Sequence, residues 1–318
     1  MRQYLIRRVL LIPVLIIGIT LLDFMFINLT PGDPVTAIMN PTELVNLDPA
    51  AVEARKEALG LNKPVIVRYG IWMREMATGN LGYSIVKSQP VSTLMFEGLK
   101  NTILLMTLSL IISSVVGIIF GILSALRPHS AVDYLLTTFA FVGVGMPSFF
   151  FALILIVVGS LRLGWFPTSG IVTPGNGSIT DRLDHMVLPM IALSINGAGS
   201  IMRYMRGGLI EVMHEDYVTT ARAKGLKQSS VVMRHAVRNA LLPIITILGL
   251  HIPALFSGAV IIETIFAIPG IGSTLVSAMN TKDYPVIMGG VLLTGILVLI
   301  SSLIADIAYA VVDPRIRY

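Results

Sequence analysis

Residues 101–126 contain no charged side chain between Lys100 and Arg127. A helix rising about 1.5 Å per residue crosses the hydrocarbon layer of a bilayer in about 20 apolar residues, so a run of this length predicts a membrane span. Five further runs have the same character: 9–29, interrupted by Asp23; 134–161, long enough to tilt or kink at Pro147; 186–202, shorter and polar at Asn196, Gly197 and Gly199; 240–262, carrying Pro243, His251 and Pro253; and 284–305, ending at Asp306. Composition agrees. Hydrophobic residues make up 54% of the 318 and charged residues 13%, against about a quarter in soluble domains. Mean hydropathy is +0.82, which excludes a soluble enzyme. The net charge of +5 taken alone suggests nucleic acid. The cations, however, fall in short segments between apolar runs, where membrane topology accounts for them. With no cysteine there is no disulfide framework, thiolate metal site or cysteine nucleophile.

Loops rich in Lys and Arg stay on the cytoplasmic side, which orients the helices. Arg2, Arg7 and Arg8, then Arg127, then the cluster from Arg203 to Arg238, then Arg315 and Arg317 all share one side if there are six crossings. Arg162, Arg182 and Lys282 fall opposite, the first two offset by Asp181 and Asp184. An odd number of crossings would split the basic set. The expectation is an all-α integral membrane protein with six transmembrane helices and both termini cytoplasmic. Its parts are an N-terminal span (1–30), an extracytoplasmic region (31–98), a five-helix core (99–310) with a cytoplasmic loop at about 206–240, and a tail (311–318).

The first apolar run exceeds the length of a signal-peptide core and no small-x-small site follows it, so a retained helix is expected. In the region after it, Asp48-Pro49 opens a helix at 50–59 closed by Gly60. Pro64 opens another, with Val65, Tyr69, Trp72 and Met76 at helical spacing. This second helix either packs on its neighbours or lies at the outer membrane surface, where Trp and Tyr concentrate; the interfacial reading is preferred.

Chemistry is sparse. There is no G-x-x-x-x-G-K-[ST] loop, so the chain is not expected to hydrolyse ATP. No H-E-x-x-H occurs, and the histidines 129, 185, 214, 235 and 251 are scattered. Ionisable groups within apolar runs suggest function by default, here Asp23, Glu263 and Asp306. Structural pairing is preferred to proton coupling for all three, and Glu263 and Asp306 stand near span ends where they reach water or a partner such as an Arg. His251 is expected to bond a neighbouring helix rather than line a pore.

The most distinctive segment precedes the fifth run. Glu215 and Asp216 stand at the front of a helical stretch, where acidic groups favour the positive end of the helix dipole. Ala221 and Ala223 keep its surface low, and Gly225 ends it in the manner of a C-cap. A second, basic helix at 229–239 leads to Pro243. A positive-inside loop explains the cations alone; a structured knob that enters a groove on a soluble partner explains the small residues as well.

The run Thr219-Thr220-Ala221-Arg222-Ala223-Lys224-Gly225, continuing to Leu242-Pro243, resembles the E-A-A…G…L-P loop of ABC importer permeases, with Thr in place of the Glu and first Ala. Its long glycine-to-proline interval is similar to the dipeptide/oligopeptide/nickel branch. Further matches are Thr30-Pro31-Gly32-Asp33-Pro34, Gly79-Asn80-Leu81-Gly82-Tyr83-Ser84, Glu263-Thr264-Ile265-Phe266 with Pro269-Gly270, Asp283-Tyr284-Pro285-Val286, and Asp313-Pro314-Arg315-Ile316-Arg317.

The resemblance implies a type I ABC importer permease fold in the cytoplasmic (inner) membrane of a prokaryote. It implies a second homologous permease, two cytoplasmic ATPase subunits that hold ATP and Mg, an extracytoplasmic substrate-binding protein, surrounding lipid, and no nucleic acid partner. This chain itself would hold no cofactor or metal. The expected coupling residues are Glu215, Asp216, Ala221, Arg222, Ala223 and Gly225. By the same resemblance Pro269, Gly270, Gly272 and Ser273 face the receptor or form a gate, with 273–279 turning back toward the pore. The cargo implied is a di- or oligopeptide; nickel, glutathione-like molecules and oligosaccharides are the family's alternatives. A self-sufficient proton-coupled transporter with Asp23 as relay is the competing class.

Overall fold

The structure is a computed structural model that describes residues 2–29 and 62–312, with side chains described for 6–29 and 62–307. The expected helix at 50–59, the motif at 30–34 and the tail motif at 313–317 lie outside these residues. Among the described residues the regular structure is helical, with two isolated bridges, Tyr83–Pro90 and Thr173–Asn176, in the connections.

The elements in order are α1 (Arg2–Leu29), α2 (Val65–Ala77), α3 (Val91–Leu126), α4 (Ala131–Gly145), α5 (Ser148–Arg162), α6 (Ile179–Val212), α7 (Asp216–Ala223), α8 (Gln228–Ala240), α9 (Leu242–His251), α10 (Ala254–Ser257), α11 (Val260–Ile265), α12 (Ile271–Asn280) and α13 (Tyr284–Val312). Four of these helices are long and apolar enough to cross a membrane alone. Counting the bent pairs α4–α5 and α8 with α9–α10 as one span each raises the number to six.

Charges bound the apolar windows but do not end the helices. α3 starts at Val91 behind the N-cap Pro90, ahead of the window at 101, and runs 36 residues, about 54 Å. That exceeds the roughly 30 Å hydrocarbon layer, so the turns bearing Glu97 and Lys100 stand clear of it. The run expected to be shortest belongs to α6, which has 34 residues because the charged turns on both flanks are helical too.

α3 and α6 form the central pair and run parallel. Ser113 of α3 donates to the carbonyl of Ser194 at 3.0 Å, and Ser194 donates to the carbonyl of Ser109 at 3.0 Å. Further along, Gly117 abuts Ala198 and Ile201, and Gly121 abuts Met202 and Met205. A methyl group at either glycine would collide with α6, so the Gly117-x-x-x-Gly121 spacing sets how closely the helices approach.

Two parallel neighbours need the chain between them to return. α4 and α5 do so along α6: Asp133 meets Arg206, Ala140 meets Gly199, Gly143 meets Ile195, and Gly159 meets Leu188. The expected kink at Pro147 is a 108° bend. Proline disfavours the helical conformation of the residue before it, and Met146 is extended at φ −88°, ψ 128°.

The expected single helix at 240–262 is instead broken. Pro253 has no N–H to donate, and Gly258 sits at φ +81°, ψ 157°, a region that only glycine occupies without strain. α8 bends 43° into α9–α10, and α11 is a separate short helix.

α1 packs antiparallel on α13, with Arg8 paired to Asp306 near one end and Ile19 beside Gly295 further along. The aromatic stripe of α2 lies on α1: Tyr69 and Trp72 stack around Phe24, and the Tyr69 hydroxyl shares a 2.9 Å hydrogen bond with Thr20. Its aromatic residues therefore pack against a neighbouring span.

Candidate functional site

The knob is present and its cap is geometrically complete. Gly225 sits at φ +77°; its N–H bonds the carbonyl of Arg222 at 2.9 Å, and the N–H of Leu226 reaches the carbonyl of Ala221 at 3.4 Å. These are the two bonds of a Schellman termination. α7 docks through Val218 and Ala221, both buried against Val231 with Val212 and Met213 alongside. Asn239 of α8 donates to the Tyr217 hydroxyl at 2.8 Å, fastening the side of the knob. Glu215 and Asp216 lie exposed at the front of α7, and Arg222, Ala223, Lys224 and Gly225 lie exposed at its far end. Ala221 is the exception among the expected contact residues: it faces inward, because the spacing of three from Val218 puts both on one helical face.

A second constellation gathers where α3, α11 and α12 meet. Glu263 is fully buried and forms no ion pair among the described residues; its structural partners are uncharged donors, neither water nor an Arg. Its Oε1 accepts from the Thr102 hydroxyl at 2.7 Å and the Ala259 N–H at 3.3 Å, while Oε2 accepts from the Ser273 N–H at 3.0 Å. Thr102 also accepts from the Ile271 N–H at 2.9 Å, and Asn101 donates to the Pro269 carbonyl at 2.9 Å. Gly270 and Gly272 are buried; a side chain at Gly270 would collide with the Glu263 carboxyl, and one at Gly272 with Val260 and the same carboxyl. Of the four residues singled out in this segment only Pro269 is exposed. Ser273 turns its hydroxyl to the Ile268 carbonyl at 2.6 Å and accepts from the Gly270 N–H at 3.0 Å, and α12 begins there.

The remaining intramembrane candidates diverge. Asp306 has the expected cation, Arg8. Asp23 is half-buried and its Oδ2 finds no hydrogen-bond partner among the described residues, so its expected pairing is not realised. His251 is exposed and makes no hydrogen bond or ion pair among the described residues, against the expectation of a bond to a neighbouring helix. It borders a small cleft shared with Ser109, Ser113 and Asn196, beside the break in the α9–α10 segment.

Two polar clusters escaped the sequence reading. Asp133 is buried and accepts from Arg206 through two 2.7 Å bonds, from the Ser124 hydroxyl, and from the His129 N–H at 2.9 Å. Asp283 accepts from the Ser84 hydroxyl and from the N–H groups of Ile85 and Val86, which joins two of the quoted motifs, 79–84 and 283–286. Both depend on partners far away in sequence, so no local pattern announces them.

Residues 117–318 match the family described as binding-protein-dependent transport system inner membrane component, and residues 1–106 match the N-terminal region of such membrane components. The chain belongs to this family. The two matched regions meet within α3, the helix that carries both the Glu263 partner Thr102 and the Gly117–Gly121 contact.

Among curated relatives, the oligopeptide transport system permease protein AppB of Bacillus subtilis is 45% identical over 320 residues, covering 100% of both chains. The dipeptide transport system permease protein DppB of Alkalihalophilus pseudofirmus is 36% identical over 337 residues, again covering 100% of both. The di/tripeptide permease DppB of Pseudomonas aeruginosa is 37% identical, covering 100% of this chain and 99% of its own. Of solved structures, an amino acid ABC transporter with histidines aligns at TM-score 0.52 and 17% identity, covering 71% of this chain and 95% of that one. The MetNI methionine ABC transporter aligns at TM-score 0.52 and 15% identity, covering 70% and 97%. At those identities the likeness is one of fold: this is an ABC importer permease architecture, a multi-pass component of a bacterial inner membrane.

Proposed function

We propose that the chain is a pore-forming subunit of an ATP-driven importer of di- or oligopeptides. The observation that carries this reading is the end-to-end match to relatives named for oligopeptide and dipeptide transport. It works beside a second, homologous permease, with ATP and Mg held by two cytoplasmic ATPase subunits and cargo delivered by an extracytoplasmic binding protein.

Six crossings with both termini cytoplasmic are supported by the parallel α3–α6 pair, the return along α4–α5 and the antiparallel α1–α13 pair. In that topology the cluster from Arg203 to Arg238 lies inside with the knob, and the Glu263 constellation lies at the outer ends of the helices. The knob transmits movement because α7 is fixed to α8 by Val218, Ala221 and Asn239, and α8 continues into the broken α9–α10 segment. A partner gripping Glu215, Asp216, Arg222 and Ala223 thus moves a span. The segment held by Glu263 is the outer gate. Shifting a two-state bundle from 1:99 to 99:1 takes about 5.5 kcal/mol, within the range a nucleotide cycle supplies.

The test is Gly225→Val in vesicles reconstituted with the partner subunits. Nothing lies within 4 Å of a side chain placed there, so the lesion is confined to the backbone of the cap. ATP hydrolysis continues while peptide uptake falls; undiminished uptake overturns the coupling role. Uptake that follows a proton gradient in the absence of ATP overturns the importer reading altogether.

A further inference from the structure

At the same end as the Glu263 constellation, a cavity of about 790 Å³ opens between the first turns of α3, the start of α6 and the Pro269–Thr274 segment. Ligand sites typically span about 300–1,000 Å³ and combine apolar walls with a few polar groups. Here Ile103, Leu104 and Ile171 contribute apolar wall, and Lys87, Glu97, Lys100 and Arg182 contribute charge. Glu97, Lys100, Asn101 and Leu104 recur at helical spacing, so one face of α3 lines the cavity.

The charges there are uncommitted. Lys87, Glu97 and Lys100 form no ion pair or hydrogen bond through their side chains among the described residues, although Glu97 and Lys100 stand one turn apart. Arg182 makes a single long contact, 3.4 Å, to Asn101 Oδ1. Asn101 in turn is tied to the Pro269 carbonyl. An exposed helix-surface acid and base would ordinarily offset each other. In this cavity three cations and one carboxylate stay available, a set that complements a ligand bearing both signs.

We propose that this cavity is a vestibule subsite for the charged ends of a short peptide, with the terminal carboxylate received by Lys100, Arg182 and Lys87 and the terminal ammonium by Glu97. The proposal rests on the peptide reading above and deepens it. A concave site with apolar walls suits a free small zwitterion whose side chains also need cover, whereas an acidic protein surface would need only the rim cations. The subsite lies beside the segment that Glu263 and Thr102 hold in place, so a peptide seated there contacts the gate through Pro269 and Thr274.

The experiment uses the intact complex purified with its partner subunits and placed in nanodiscs without receptor. The probes are tri-alanine with free ends, its C-terminal amide and its N-acetyl form. The expected result is that either cap weakens binding about tenfold, the effect of losing one charge-assisted contact. Lys100→Gln and Arg182→Gln each weaken the free peptide and its N-acetyl form and reduce discrimination against the amide, and the two changes together nearly abolish it. Lys100→Glu combined with Arg182→Gln shifts the preference toward the amide, a gain that a folding defect does not produce. Equal binding of all three probes by the wild-type complex, or unchanged preferences in all the variants, overturns the proposal. So does a loss confined to receptor-stimulated ATP hydrolysis, which would make the rim a docking surface for the binding protein. Receptor-dependent uptake of tri-alanine by wild-type vesicles is scored separately: its failure counts against peptide cargo, and its presence with unaltered end-group preferences counts against the cavity alone.

Discussion

The Thr102 hydroxyl donates to Glu263 at 2.7 Å and accepts from the Ile271 N–H at 2.9 Å, so one side chain of α3 holds both ends of the turn between α11 and α12. Glu263 reaches the same turn through Ser273. Neither interaction requires a second charge. The carboxyl is surrounded by hydroxyl and backbone donors, the arrangement that makes burial of a polar group tolerable.

Thr102→Val is therefore expected to leave the Ile271 N–H without its partner and Glu263 short of a donor, at a cost of about 1–3 kcal/mol. The segment loosens before the bundle does. A cysteine placed at Ser277, exposed on α12, should react faster with a water-soluble maleimide in the Thr102→Val background. Thr102→Ser, which keeps the hydroxyl, should restore the slow rate.

At the centre of α3 the expected effect is steric. Gly121→Leu drives a side chain into Met205, and Gly117→Leu drives one into Ala198 and Ile201. Overpacking typically costs about 1–3 kcal/mol and more where backbone must move. Both variants should unfold at lower temperature in detergent. Gly145→Ala, with nothing within 4 Å of the added methyl, should not.

The Asp133–Arg206 pair gives a test with opposite signs for single and double changes. Arg206→Met leaves a buried carboxylate without its cation, and breaking a buried pair in this way costs about 3–5 kcal/mol. Asp133→Asn with Arg206→Met removes both charges. It should recover much of the lost thermal stability, because the neutral amide can still accept from Ser124. A double variant no better than Arg206→Met would show that the bidentate geometry, rather than the stranded charge, holds α4 to α6.

For the knob, Val218→Asp should detach α7 by placing a carboxylate against Val231. The spans should remain assembled, since the apolar cluster that α7 joins is made with Val212, Met213 and Val231 and, among the described residues, includes none from α1, α3 or α13. The measurement is the amount of ATPase subunit recovered with the permease: Val218→Asp lowers it, and so does a bulky change at exposed Ala223, while the melting temperature changes only for the former.

The element types and most of their positions were legible in the residues alone. Long uncharged runs dictate membrane helices because backbone groups in hydrocarbon must bond within their own segment. Pro147 marked a bend, since proline restricts the residue ahead of it, and Gly225 marked a cap, since the left-handed position it fills strains any other residue. These effects are local, and local chemistry is what a sequence displays. The helix ends were read short because a charge stops an apolar run without stopping a helix.

Pairing across the bundle is of another kind. That Glu263 meets hydroxyl and amide donors, that Asp133 meets Arg206, that Ala221 faces inward, and that Glu97 and Lys100 line one cavity with Arg182 follow from how helices distant in the chain are laid together. A buried polar group announces only that it needs a partner. Which partner it receives is decided by helix spacing and register, which Gly117 and Gly121 set through contacts that exist only once α3 and α6 have met.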